Sequence, residues 1–253
     1  MLLTIDLGNT SIKLGLFENN EELCFSVYDK LHEDYRSLIL SFLFRNNKRE
    51  NDLDCVIFSC VVPNLYDKVY TALKSIVEEN KIIDINPNDD YGVKLDVPNP
   101  SSVGDDLIVM SAYAYHLFKR DIIIVSIGTV TVISHVDKEG NFKHCIIAPG
   151  FNKVAESIWG SAAQLPEFEL QKSNTFLADN TIDAMNVGTY NGYIGMLEYL
   201  VNGLKNELNL DSYIVGCGGV GKLLTPHTDI FDYFDSDLVT KGLNYIYETK
   251  KNK

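Results

Sequence analysis

The chain has 253 residues, 45% hydrophobic and 23% charged, which suits one large or two modest globular domains around a substantial core. Its formal net charge of -13 argues against nucleic acid or an anionic membrane surface as a partner, because such surfaces need clustered Lys and Arg; basic residues gather only at Lys48-Arg49 and in the tail 250–253. Five cysteines, Cys24, Cys55, Cys60, Cys145 and Cys217, show no paired metal-ligand spacing, and neither a signal-like N-terminus nor an apolar run of ~20 residues occurs, so a cytoplasmic protein with buried thiols is expected.

The first 18 residues read as a tight β-hairpin: an apolar run ending in Asp6, a Gly8-Asn9-Thr10 turn, and an apolar, β-branched return. At its tip Gly8 lets backbone amides approach a ligand, Asn9 and Thr10 add donors and Lys13 adds positive charge, a combination that could cradle a phosphate in a backbone nest. Asp6, ending a strand that looks buried, is a candidate to hold a metal ion through water. The same residues also suit an ordinary Asn-Thr turn.

A third strand is expected over 23–28, an amphipathic helix over 34–46, a buried strand over 54–62, a helix over 65–79 and a strand over 81–85. Strands interleaved with helices imply an α/β layer with a mainly parallel sheet, the hairpin supplying the antiparallel part. Residues 86–106 form the longest irregular stretch, of the kind that is functional or mobile. It runs into a helix over 105–118, so Gly104-Asp105-Asp106 sits at a helix N-terminus, a position that suits functional carboxylates and plain capping alike.

The second half opens on two strands over 121–134 broken at Ile127-Gly128-Thr129, echoing the first hairpin as a weak internal repeat. Two such tips facing each other across a cleft would clamp a triphosphate from both sides. A strand over 142–147 follows, then a helix over about 153–165 carrying Trp159 as a core residue. The long helical stretch 180–208 contains Gly188, Gly192, Gly195 and Gly203, which hint at close packing of another helix or of a ligand. A strand at 214–216 leads into Gly218-Gly219, where a purine could lie against bare backbone, and a helix over 236–248 closes the chain. No linker separates the halves. The expected division is 1–119, with the first hairpin and the Asp105-Asp106 pair, and 120–253, with the second hairpin and closing helix.

The motif Asp6-x-Gly8-Asn9-Thr10-x-x-Lys13-x-Gly15-Leu16-Phe17 resembles the opening phosphate motif of the type III pantothenate kinases. These kinases belong to the superfamily of acetate and sugar kinases and actin-like ATPases. Further landmarks run in the family's order: Ser59-Cys60-Val61-Val62-Pro63, Asn99-Pro100-x-x-Val103-Gly104-Asp105-Asp106, Gly128-Thr129, Ile147-Ala148-Pro149-Gly150, Ala163-x-Leu165-Pro166, Asn180-Thr181, Gly218-Gly219 and Lys241-Gly242-Leu243. The resemblance implies two actin-like, ribonuclease H-like α/β domains with mixed sheets flanked by helices and a cleft between them. It implies ATP-dependent phosphorylation of the primary hydroxyl of pantothenate, a homodimer, and a monovalent cation such as K⁺ or NH4⁺.

By that resemblance Gly8, Asn9, Thr10 and Lys13 hold the ATP phosphates, Asp6 orders Mg²⁺ through water, Thr129 binds phosphate, and Gly218 and Gly219 belong to the nucleotide site. Asp106 is the general base toward the acceptor hydroxyl, Gly104 and Asp105 flank it, and Thr181 holds the acyl substrate. Three positions depart from the family pattern. Leu107 replaces the arginine that would grip the acid bidentately, Val97 replaces a pocket tyrosine, and Ser126 replaces the aspartate that holds the monovalent cation. A Gly-Gly pair is also replaced by His144-Cys145. Three readings follow: an active but divergent pantothenate kinase, a kinase of the same fold for another small hydroxylated substrate, and a non-catalytic nucleotide-binding regulator.

Overall fold

The computed structural model describes residues 1–30, 32, 34–161, 165–171 and 175–251. The chain divides into two compact units, Met1–Leu117 with Leu238–Lys253, and Phe118–Asp237. Ala163 of the Ala163-x-Leu165-Pro166 motif, the expected helical residues 162–164 and the last two residues of the basic tail lie outside the described residues.

The first unit contains β1 (Leu2–Leu7), β2 (Ser11–Glu18), β3 (Glu21–Asp29), α1 (Tyr35–Arg45), β4 (Cys55–Cys60), α2 (Pro63–Lys74), β5 (Ile82–Asp84), a short β6 (Lys94–Leu95) and α3 (Asp105–Phe118). Its sheet has the order β3-β2-β1-β4-β5. β1 pairs antiparallel with β2 and parallel with β4, and every one of its residues is buried, which accounts for the run up to Asp6 being apolar apart from Thr4, whose hydroxyl donates to the Gly15 carbonyl. The sheet is more evenly mixed than the mainly parallel one expected, since β2–β3 is antiparallel as well.

α1 starts at Asp34, whose carboxylate accepts the Ser37 amide, and it buries Tyr35, Leu38, Ile39, Phe42 and Leu43, a stripe at helical spacing. α2 begins two residues earlier than the periodicity suggests because Pro63 fits the first helical position, and it ends at Lys74, capped by Ser75, rather than at 79. Leu65, Val69 and Leu73 of α2 join α1 and the strands in one core.

The second unit contains β7 (Ile122–Ile127), β8 (Val130–Val136), β9 (Asn141–Pro149), α4 (Phe151–Ser161), α5 (Thr181–Leu208), β10 (Tyr213–Cys217), α6 (Gly221–Leu224) and β11 (Tyr233–Asp235). Its own strands run β11-β10-β7-β8-β9. The central strand β7 pairs antiparallel with β8 and parallel with β10, as β1 does with β2 and β4. The internal repeat suggested by two glycine tips is therefore a repeat of topology: three antiparallel strands on one side, two parallel strands on the other. α5 closes over this sheet with Tyr190, Tyr193, Ile194, Leu197 and Val201. Trp159 is half-buried and packs edge-on against Phe168. β11 and α6 are too short to announce themselves by periodicity.

The closing helix α7 (Leu238–Lys251) belongs with the first unit, where the contiguous division at 120 would have kept it in the second. It covers β1, β2 and β4. Glycines sit where it packs: a Cβ on Gly242 would lie 2.7 Å from Val109 Cγ1 of α3, and one on Gly15 of β2 would lie 3.6 Å from Thr240 Cβ of α7. Sequence order alone does not say which of two similar sheets a terminal amphipathic helix covers. None of the five cysteines forms a disulfide, and no described helix is long and apolar enough to cross a membrane.

Candidate active site

Strand register assembles the first part of the site. β1 sets Asp6 opposite Lys13 on β2 and opposite Ser59 on β4, so the three side chains form a row on one face of the sheet. Lys13 Nζ lies 2.6 Å from Asp6 Oδ2, and the Ser59 hydroxyl donates to Asp6 Oδ1 at 2.8 Å. Asp6 is only 2% exposed and Ser59 is fully buried. A carboxylate at that depth is tolerable because it is both paired and hydrogen-bonded. Just beyond, the Gly8 amide closes the tip on the Ser11 carbonyl at 2.9 Å, leaving Asn9 and Thr10 exposed.

α3 brings the acids to the same region of this unit. Asp105 and Asp106 form its first turn and are half-buried; the Leu107 amide donates to Asp106 Oδ1 at 2.9 Å. Burial, then the Asp6 charge, pushes the Asp106 carboxyl up to about 6, against the pull of the Leu107 amide and of Lys13. Asp105 reaches the Cys60 amide of β4 at 3.4 Å. Its carboxyl is also pushed up to about 6, first by burial and then by the Asp84 and Asp6 charges. Gly104 makes room for this turn, since a Cβ there would lie 2.7 Å from Asp106 Oδ1. Leu107 and Val97 are half-buried.

The second unit gathers a different set. The Gly128 amide closes its tip on the Val130 carbonyl at 3.1 Å, as Gly8 does on Ser11. Neither tip glycine has positive φ, so neither turn is the nest expected of a left-handed residue; beyond its chain neighbours, a Cβ on Gly128 would meet none of the described residues nearer than the Val130 carbonyl oxygen at 3.7 Å. The demanding glycines are elsewhere. A Cβ on Gly150, at the start of α4, would fall 2.3 Å from the Gly128 carbonyl oxygen and 2.5 Å from that of Thr129. Gly218 has φ +100 and sits against the Ile127 carbonyl, where a Cβ would lie at 2.2 Å.

The Gly128-Thr129 tip, Gly150 and the Gly218-Gly219 turn thus meet at the ends of β7 and β10. Thr131 Oγ1 bonds both the Pro149 carbonyl, at 3.1 Å, and the buried Tyr193 hydroxyl, fixing this corner to α5. Ser126 is half-buried on β7, in register with Val132 and Cys217. Thr181 stands apart at the exposed first turn of α5, capped by Asn180; twelve helical residues, about 18 Å, separate it from Tyr193.

Asp6, Lys13, Asp105 and Asp106 therefore lie in one electrostatic neighbourhood, and Thr129, Gly218 and Gly219 in one corner of the second unit. Ser59, Tyr193 and Thr131 were not marked as site residues by the sequence. Their signal, a polar side chain in an apolar strand or helix face, is too common to single out. Among the described residues no three acidic, His or Cys side chains are arranged to hold a metal ion by themselves. Magnesium usually binds through one or two carboxylates plus substrate phosphates, and Asp6 keeps acceptor positions beyond those used by Lys13 and Ser59, so its chemistry fits a water-mediated Mg²⁺ carried in with a nucleotide.

Solved structures first define the class of fold. A Campylobacter jejuni protein described as a Baf family transcriptional activator aligns with a TM-score of 0.61 at 17% identity, covering 99% of this chain and 100% of that one. A Sinorhizobium meliloti protein named for 2-dehydro-3-deoxygalactonokinase aligns with a TM-score of 0.59 at 11% identity, covering 98% and 96%. With two mixed sheets flanked by helices, the chain has the two-domain actin-like ATPase fold. Sequence then gives the family: the profile of type III pantothenate kinases matches residues 2–203. The type III pantothenate kinase of Agathobacter rectalis is 33% identical over 258 aligned positions, covering 100% of this chain and 99% of the relative. The chain belongs to the type III pantothenate kinase family.

The two glycine environments separate folding from ligand access. Gly150→Ala should destabilise the protein by about 1–3 kcal/mol, read as a lowered denaturation midpoint, because its Cβ meets backbone that cannot step aside. Gly128→Ala should leave the stability within about 0.5 kcal/mol of the parent's, read as an unmoved midpoint.

Proposed function

We infer that this chain transfers the γ-phosphoryl group of ATP to the primary hydroxyl of pantothenate, giving 4'-phosphopantothenate in the first step of coenzyme A biosynthesis. Membership of the family supports the reaction. The single structural observation that carries the mechanism is the half-buried Asp106 carboxyl, pushed up to about 6 beside the Asp6–Lys13 pair. A base is most effective when its pKa approaches the working pH, so Asp106 is ionised at neutrality yet still basic enough to take the acceptor proton.

Phosphoryl transfer asks for positioning and charge neutralisation rather than covalent chemistry. We assign Gly8, Asn9, Thr10 and Lys13 to the ATP phosphates and Asp6 to water-mediated Mg²⁺. In the second unit Thr129 is assigned to phosphate and Gly218-Gly219 to the nucleotide. Bound MgATP would supply the phosphoryl group and neutralise charge developing on it. Asp106 would orient the acceptor hydroxyl and take up its proton, with Gly104 and Asp105 beside it and Thr181 toward the acyl substrate. Leu107 and Val97 give the acceptor pocket more apolar surface than the family pattern has, so the acid must be gripped by other groups. Ser126 lacks the charge that a monovalent-cation ligand provides, and turnover should persist when K⁺ and NH4⁺ are omitted.

A homodimer is part of this reading. Gly188, Gly192, Gly195 and Tyr199 line one exposed face of α5 at spacings of four, three and four, and beyond its own helical turns a Cβ on any of these glycines meets none of the described residues within 4 Å. Among the described residues nothing packs on this face, and we assign it to contact with a second copy.

Asp106→Asn should lower the rate of phosphopantothenate formation about 10²- to 10⁴-fold while MgATP binding, measured by calorimetry, survives. The parent rate should rise with pH through about 6 and level off above it, as the carboxylate forms. Stability has the opposite sign: the native carboxyl holds its proton to higher pH than the unfolded one, so stability falls as pH rises from about 4 to about 6, and Asp106→Asn should be the more stable protein at pH 8. Retained turnover in the variant removes Asp106 from the base role. Light scattering of the parent should give twice the mass of one chain, and Gly192→Glu should give one mass, since glutamate there favours the helix by about 1 kcal/mol over glycine and meets no other described part of its own chain.

A further inference from the structure

We infer that Ser59 is a positioning residue for phosphoryl transfer: its hydroxyl orients the Asp6 carboxylate and, through it, the Lys13 ammonium. The inference rests on the kinase reading above. Ser59 lies opposite Asp6 in the parallel β1–β4 register, and Lys13 lies opposite Asp6 on the other side. The Ser59 hydroxyl, fully buried, donates to Oδ1 at 2.8 Å, while the ammonium takes Oδ2 at 2.6 Å.

The consequence is geometric. A carboxylate has two oxygens and about four acceptor positions. With one position on each oxygen occupied from opposite strands, rotation of the Asp6 carboxylate is blocked and its remaining positions point in fixed directions. Water-bound Mg²⁺ would meet a preset acceptor, and Lys13 would be held where its charge acts on Asp106 as well. Without the hydroxyl, Oδ1 would lose its only anchor from β4 and the carboxylate could turn toward Lys13. Ser59 touches no reacting atom on this account and works only through Asp6. Cys55 to Phe58 of β4 form an apolar, buried run that gives the strand its packing without any help from a hydroxyl.

A role confined to folding would leave the magnesium response unchanged, which makes that response the decisive readout. The full chain is compared with Ser59→Ala and Ser59→Cys; the thiol keeps the site filled but is a weak donor. Two quantities are measured: the Mg²⁺ concentration giving half-maximal phosphopantothenate formation, and MgATP affinity by calorimetry without pantothenate. Removing a partner that orients a ligating carboxylate costs about 10- to 100-fold, so Ser59→Ala should need about tenfold more Mg²⁺, with weaker MgATP binding and an unmoved KM for pantothenate.

An unchanged Mg²⁺ requirement and MgATP affinity in folded Ser59→Ala overturns the inference. Should the alanine variant fail to fold, Ser59→Cys decides by the same criterion. If the parent binds MgATP but makes no phosphopantothenate, calorimetry still decides: weaker binding in the variant upholds the role of Ser59 while the pantothenate reading fails, and equal binding overturns the role of Ser59.

Discussion

The constraint on which the first unit turns is a single buried carboxylate. Asp6 sits at the end of the central strand with almost no access to water, and an unpaired charge there would be prohibitive. Its neighbours on both sides answer it, a lysine from the antiparallel partner and a serine hydroxyl from the parallel one. A slip of one residue in either pairing would turn Lys13 or Ser59 to the opposite face and strand the charge. Asp6 therefore fixes register as well as chemistry. The same register fixes where the hairpin tip projects and brings β4 to the point where Cys60 meets the first turn of α3.

From that row the electrostatics of the acids follow. Asp105 and Asp106 enter a helix whose N-terminal amides favour negative charge, yet both carboxyls sit well above the ordinary carboxylate range. Desolvation is the first cause and the fixed charge of Asp6 is common to both. A pair of acids made reluctant to ionise by burial and a neighbouring charge is the arrangement from which a proton acceptor near neutrality can be drawn. The cost falls on stability, because ionising such groups at neutral pH works against folding.

The second unit repeats the topology without repeating the charge. Its central strand carries Ser126 in an otherwise apolar run where the first strand carries Asp6, and the corner at its tip is held by backbone contacts to glycines and by the Thr131–Tyr193 hydroxyl pair. One plan of strands thus supports two kinds of tip, one anchored by a buried ion pair and one by close packing.

Much was legible in the sequence because it rests on local physics. Alternating and continuous apolar runs gave β1, β2, β4, β7 and β8, an amphipathic pattern gave α1, and collinear motifs gave the family. Short elements such as β11 and α6 left no periodic signal, and no spacing could say that α7 returns to the first sheet. The ion pair of Asp6 with Lys13 was also hidden, since seven residues of separation mean contact only once the hairpin register is known. Ser59, fifty-three residues from Asp6, was further out of reach. Composition and periodicity determine which residues are strand, helix or turn, because those choices depend on near neighbours. Which buried polar atoms face one another depends on register and crossover between distant strands, and that only the folded chain decides.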